Sequence, residues 1–234
     1  MANSNKNSGS RGLTTRVKTA RGRKPSSTRW LQRQLNDPYV TKAKKEGYRS
    51  RAAYKLIELD DKFHFLKPTK TVLDLGAAPG GWTQVAADRV KSTTKKPLVI
   101  GVDILAMDEV AAATTIKLDF MADNAPKTIT ELIPAGVDIV LSDMAPNTIG
   151  HKATDHIRII AMVESAYYFA REILKKDGVF IAKVFQGGAD KELLTQMRKD
   201  FTSVKHAKPK ASRSDSSEMY VVAMGFSGLS GKLR

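Results

Sequence analysis

The chain has 234 residues, no cysteine and a formal net charge of +15. That length suits one domain with a full core plus some tail. The missing cysteine excludes disulfides and thiolate metal sites. No run of about 18 apolar residues occurs, so no membrane span is expected. A cytoplasmic protein is the expectation.

The charge is unevenly placed. Lys6, Arg11, Arg16, Lys18, Arg21, Arg23, Lys24, Arg29 and Arg33 all precede the first acid, Asp37. Removing those nine of the 39 basic residues leaves 30 against 24 acids, so the rest of the chain carries only +6. Residues 1–29 are rich in Ser, Thr, Asn, Gly, Lys and Arg, with Leu13 and Val17 as their main hydrophobes. Such a segment buries too little to order itself, and disorder is expected. A basic arm for a polyanion such as RNA is the favoured reading, because Lys and Arg release counterions from phosphates. A transit peptide competes, although Gly9, Gly12, Gly22 and Pro25 interrupt any amphipathic helix. A solubilising tail is the third alternative.

Residues 30–234 are expected to form one catalytic domain, opening with helices between 38 and 63. Asp37-Pro38 signals a helix that ends at Gly47. Ser50 is placed to cap a second, with Ala53, Leu56, Ile57 and Asp60 at helical spacing. Lys55 lies off that stripe and reads locally as a solvated surface lysine.

The centre of the chain is Thr71 to Trp82, TVLDLGAAPGGW. Val72, Leu73 and Leu75 read as a buried strand, Gly76 as a turn, and Gly80-Gly81 as the opening of a helix. A strand, a glycine turn and a helix N-terminus make the nucleotide-binding half of an open α/β sheet. Dinucleotide sites favour G-x-G-x-x-G, whose amides pack on a pyrophosphate. Here the turn holds no Lys or Arg, and Asp74 adds negative charge beside it. A ligand with positive centres fits better, and S-adenosyl-L-methionine is one.

Strands and helices alternate from there, as in a parallel sheet covered on both faces. Strands are expected at Leu98–Val102, Ile116–Leu118, Val137–Leu141, Val179–Phe185, Val204–Ala207 and Met219–Phe226. Helices are expected at Asp155–Lys176, stopped by Gly178, and at Leu193–Phe201. Asp74, Asp103, Asp119 and Asp143 stand at strand ends, the edge where open sheets bind ligands. Asp103 is the acid expected on a ribose diol, and Asp119 could accept from an adenine amino group. Lys183 is the anomaly, embedded in VFIAKVF. A buried ammonium is costly, so such a lysine is paired or neutral, unless its stem packs while its head reaches water. His64, His151, His156 and His206 show no ligand-type clustering, and no metal is expected.

From Arg29-Trp30-Leu31 almost to the carboxyl end, the chain resembles bacterial ribose methyltransferases of the FtsJ/RlmE family. The likeness is carried by GYRSRAAYKL, VLDLGAAPGGW, VLSDMAPN, AKVFQG and SEMYVVA, in family order. The resemblance implies a Rossmann-like class I methyltransferase fold of seven strands with the last antiparallel. It implies 2′-O-methylation of a uridine ribose in 23S ribosomal RNA, within the large ribosomal subunit, by a monomer. By motif, the family's Lys-Asp-Lys-Glu tetrad falls on Lys55, Asp143, Lys183 and Glu218, with Lys183 as base. Its cofactor contacts fall on Gly80, Trp82, Asp103, Asp119 and Asp143. Three alternatives stand beside this reading: methylation of tRNA by the same chemistry, a base N-methyltransferase, and a non-catalytic RNA-binding ribosome-assembly factor. Asp143-Met144-Ala145-Pro146 lacks the Pro-Pro-aromatic run common in base methyltransferases.

Overall fold

The structure is a computed structural model that describes residues 15–17, 22, 24–146, 152–185, 191–214 and 216–228. Three helices come first: α1 (Pro25–Leu35), α2 (Pro38–Glu46) and α3 (Ala53–Phe63). The alternating part follows as β1 (Val72–Leu75), α4 (Gly81–Arg89), β2 (Val99–Asp103), β3 (Ala113–Lys117), α5 (Ala125–Leu132) and β4 (Val137–Ser142). It closes with α6 (Lys152–Ile173), β5 (Leu174–Phe185), α7 (Lys191–Asp200), β6 (Phe201–Ala207) and β7 (Glu218–Phe226). The seven strands run in the order β3-β2-β1-β4-β5-β7-β6. Strands β1 to β5 pair in parallel, and β7 runs antiparallel between β5 and β6. This is the Rossmann-like arrangement that the sequence led us to expect. No helix among the described residues is long and apolar enough to cross a membrane.

Strand alternation divides the core. Val72, Ile139, Leu141, Ile181 and Val222 face α3 and α4, where Leu56, Leu59, Trp82 and Val85 are buried against them. Leu73, Leu75, Val140, Phe180 and Val221 face the other way, onto Ile129 of α5, Tyr167 of α6 and Met197 of α7. Strands buried on both faces read as continuous apolar runs, which is why VLDL and VFIAKVF stand out. Between β1 and β4 the strand order reverses, and a crevice opens beyond their carboxyl ends.

Several local expectations need correction. Helix α1 begins at Pro25, inside the segment expected to be a disordered arm. Residues 15–17 lie beside it, the Thr15 carbonyl accepting from Gln32 Nε2 at 2.9 Å and Asn36 Nδ2 at 3.0 Å. Ser50 does not cap α3: the helix starts behind Ala52 with no side-chain cap, and Ser50 Oγ is buried with no hydrogen bond among the described residues. Asp37 does cap α2, accepting from the Tyr39 amide at 3.0 Å, and Gly47 ends it at φ +79°. Helix α6 stops at Ile173 rather than Lys176, because Leu174 already pairs with Val137 of β4. The register then shifts before Ile139 meets Val179, and Asp177 takes φ +62° at the irregularity. Strand β3 lies at 113–117, so Leu118 and Asp119 follow it; the Leu118 amide still donates to the Asp103 carbonyl at 2.8 Å.

Candidate active site

Gly76 ends β1 in the left-handed region at φ +77°. A Cβ there would lie 2.8 Å from the Met144 backbone nitrogen, so only glycine lets the β1 and β4 ends come together. Next to this turn lies a cleft of about 350 Å³, lined among others by Gly76, Ala78, Asp103, Asp119, Asp143 and Met144. Among the described residues, no basic side chain lines it. Asp103 is held rigidly: Oδ2 accepts from the Ala78 amide at 2.9 Å and Oδ1 from the Leu105 amide at 2.8 Å. Asp119 Oδ1 accepts from the Met121 amide at 2.9 Å. Ile104, Leu105 and Met121 stand exposed around these acids, an apolar wall that a flat heterocycle could cover. Acids and apolar surface without cations suit a ligand with positive charge and an aromatic part.

At the floor of the crevice four side chains pair. Lys183 Nζ lies 3.1 Å from Asp143 Oδ1 and donates to the Asp143 carbonyl at 2.6 Å. Lys55 Nζ lies 2.8 Å from Glu218 Oε2. Both lysines are only 8% exposed, so the surface reading of Lys55 is overturned. Tyr220 joins the pairs: its hydroxyl donates to Asp143 Oδ1 at 2.8 Å, and Lys55 Nζ lies 5.9 Å from its ring centroid. Ser212 Oγ donates to Glu218 Oε1 at 2.7 Å. Lys55 and Glu218 also line a second cleft of about 340 Å³, together with Arg33, Arg51, Arg213 and Ser216. Asp143 thus opens on one cleft, and Lys55 with Glu218 on the other.

Comparisons with known proteins give the family. Residues 48–226 match the family model described as FtsJ-like methyltransferase. The chain belongs to the FtsJ-like methyltransferase family. It is 58% identical over 224 residues to ribosomal RNA large subunit methyltransferase E of Paramagnetospirillum magneticum, covering 95% of this chain and 92% of that one. The protein of the same name from Rhodospirillum rubrum is 57% identical over 224 residues, covering 95% and 85%. A crystal structure of a ribosomal RNA methyltransferase from Plasmodium falciparum superposes with a TM-score of 0.67 at 35% identity, covering 77% of this chain and all, 100%, of that one.

In this FtsJ-like methyltransferase the electrostatics follow from burial and pairing. Burial alone would raise the Asp143 carboxyl, but the Lys183 and Lys55 charges and the Tyr220 hydroxyl outweigh it, and its pKa is lowered. Burial, with the charges of Asp143 and Glu218, holds the Tyr220 phenol well above its ordinary value, so it stays a donor. Asp74 is fully buried, and desolvation pushes it up to about 7 against the opposing hydrogen bond from Thr83 Oγ1. Its Oδ1 has no partner among the described residues.

Three of the sequence-derived positions line neither cleft: Lys183, which reaches the acidic one through Asp143, and Gly80 and Trp82. Gly80 is the N-cap of α4 at φ +105°, where a Cβ would meet Val110 at 2.8 Å. Trp82 is a core residue, its Nε1 donating to the Ala52 carbonyl at 2.8 Å and its ring 5.5 Å from that of Tyr220. The Gly80 amide donates to the Ala77 carbonyl at 2.6 Å, which leaves the Trp82 amide, in the first turn of α4, for a ligand. Tyr220 was missed in the sequence. The signal was its place two residues after Glu218, which puts both on one face of a strand. Its pairing with Lys183 across β5 and β7 could not be seen without the register.

Proposed function

We propose that this protein transfers a methyl group from S-adenosyl-L-methionine to the 2′-oxygen of a ribose in large-subunit ribosomal RNA, in the cytoplasm. The observation that carries the reading is the meeting of two clefts at the Lys55, Asp143, Lys183 and Glu218 cluster. One cleft is acidic and apolar; the other is basic. The names of the relatives support ribosomal RNA as substrate. The donor cleft fits S-adenosyl-L-methionine: Asp103 faces the ribose diol, Asp119 the adenine amino group, and Asp143 the positive end. The amide of Trp82 in the first turn of α4 serves the cofactor's carboxylate, and Gly80 shapes the turn before it.

When bound, S-adenosyl-L-methionine supplies an activated methyl on a sulfonium. The side chains align a ribose hydroxyl with it and take up a proton. Lys183 Nζ is the acceptor, with Asp143 orienting it. Lys55 steadies the developing oxyanion, with Glu218 fixing its position, and Tyr220 keeps the Asp143 carboxylate in place. Lysine is the residue type for the base because, unlike arginine, it can release its proton in a buried site.

The test is a map of 2′-O-methyl groups in all cellular RNA after deletion of the gene. Loss of a ribose methyl from large-subunit ribosomal RNA, restored by the wild-type gene, is the expected result. Loss from tRNA alone, or no loss, overturns the assignment of substrate.

A further inference from the structure

Arg49 stands in the same motif as Lys55, GYRSRAAYKL, but its side chain reaches across to the outer wall of the acidic cleft. Beyond Asp103 the chain runs through residues 104–112, outside helix and strand, before β3 begins. Ile104 and Leu105 of this loop are exposed, Leu105 walls the acidic cleft, and Val110 is buried at the far end. Among the described residues, the only hydrogen bonds that reach residues 106–109 come from Arg49. Its Nη1 donates to the Asp108 carbonyl at 2.6 Å, and its Nη2 donates to the Glu109 carbonyl. Nη1 also donates to the Pro79 carbonyl, at the turn before α4, at 3.3 Å. The backbone behind this side chain is pinned to α4. The Arg49 amide donates to Gln84 Oε1 at 2.9 Å, and Gln84 Nε2 donates to the Gly47 carbonyl at 3.2 Å. One guanidinium therefore joins the β2–β3 loop to the β1–α4 turn.

We propose that Arg49 is a positioning residue of the donor site, whose guanidinium holds the β2–β3 loop in the conformation that the cofactor binds. The proposal rests on the reading of the acidic cleft as the S-adenosyl-L-methionine site and adds what keeps its wall in place. Arg49 does not line that cleft. It lines a neighbouring one of about 620 Å³, which shares Ala78 and Leu105 with it. It therefore acts on the ligand through the loop rather than by touching it. The Leu105 amide donates to Asp103 Oδ1, so a displaced loop also frees the carboxylate proposed for the ribose diol. Carbonyls on two segments need donors that diverge in one plane, which a guanidinium fork supplies and a single ammonium does not. A loop with no other hydrogen bonds at its centre leaves the binding conformation when that fork is lost. Apparent affinity then falls with the fraction of molecules whose loop is still in place.

The experiment uses full-length protein with the substitutions Arg49→Gln and Arg49→Lys. Calorimetry measures S-adenosyl-L-methionine affinity, and turnover at varied cofactor concentration gives KM and kcat. Cleavage by a protease that cuts after acidic residues reports on the loop at Asp108 and Glu109. The salt slope of binding to unmodified large-subunit ribosomal RNA reports phosphate contacts. Both variants are expected to lose about tenfold in cofactor affinity, with KM for the cofactor raised and kcat retained. Both should be cut faster after Asp108 and Glu109, while the thermal midpoint and the RNA salt slope hold. Wild-type affinity in Arg49→Lys would overturn the proposal, since charge without the fork would suffice. Unchanged cofactor affinity with a lowered salt slope would also overturn it, making Arg49 a phosphate ligand. A lowered thermal midpoint with cleavage spread through the chain would make Arg49 a general structural residue, which again overturns it. Wild-type protein that binds no S-adenosyl-L-methionine would strike the functional reading instead. The cleavage rates at Asp108 and Glu109 would still decide whether Arg49 holds the loop.

Discussion

Lys183 lies in the strand interior, between Ala182 and Val184, with Asp143 as its counter-ion. An arginine at that position would keep the positive charge but could not give up its proton near neutral pH. Lys183→Arg should therefore lose turnover nearly as completely as Lys183→Ala, on the order of 10²–10⁴-fold for a general base. Cofactor affinity should be unaltered in both, since Lys183 does not line the donor cleft. Single-turnover rates with saturating cofactor make the comparison; near wild-type turnover in the arginine variant would reduce Lys183 to an electrostatic role. Asp74 makes a separate prediction about pH. Its pKa is raised from 3.8 to about 7 by burial, so between about pH 4 and 7 the unfolded chain is ionised there while the folded one keeps its proton. The folded state then binds more protons, and this group's contribution to stability falls as pH rises through that window and levels off above it. Asp74→Asn removes the dependence while retaining an acceptor for Thr83. Denaturant titrations should show the variant gaining on wild type from pH 4 to 8, by up to about 4 kcal/mol. Parallel stability curves would refute it.

At the scale of elements, the β1-turn-α4 unit and the carboxyl end of β2 shape the cleft proposed for the donor. Asp103 closes β2 and is clamped by the Ala78 and Leu105 amides, which aims its remaining lone pairs into the cleft. Asp103→Ala should weaken S-adenosyl-L-methionine binding by roughly 1–3 kcal/mol, the scale of a missing charged hydrogen bond. Calorimetry showing unchanged affinity would remove it from the site. This much was legible because apolar runs ending in an acid identify buried parallel strands and their ligand edge together. Lys183 was legible for the opposite reason, as a charge where the strand pattern has no place for one. What pattern could not carry was long-range pairing. Lys55 looked like a surface residue until β7 brought Glu218 to it, and the meeting of Tyr220 with Lys183 depended on the β5–β7 register. Ser50 looked like a cap, but the chain from Ser50 to Ala52 turns differently, and the hydroxyl packs towards Gly81 instead. The early end of α6 follows from Leu174 joining β4, a tertiary interaction that outweighs helical propensity.

The whole molecule sets an acidic cleft and a basic cleft on either side of one buried cluster, with most of its excess charge at the amino end. Thr15 is tied to Gln32 and Asn36 at the end of α1, the helix that also carries Arg33 of the basic cleft. Residues 1–14 lie outside the described part. Deleting residues 1–24 leaves α1 whole and removes Lys6, Arg11, Arg16, Lys18, Arg21, Arg23 and Lys24. RNA binding should weaken, with the salt slope falling by about 0.7–0.9 for each phosphate the arm no longer neutralises, while cofactor affinity stays the same. An unaltered slope would make the arm a bystander. The central claim, that two clefts deliver a methyl to a ribose oxygen, is tested most directly by identifying the product. Purified protein would be given S-adenosyl-L-methionine with a labelled methyl and unmodified large-subunit ribosomal RNA, and the RNA digested to nucleosides. The account predicts label in one 2′-O-methylated nucleoside, absent with Lys183→Arg. Label in a methylated base, or an equal yield of the same product from Lys183→Arg, would contradict it.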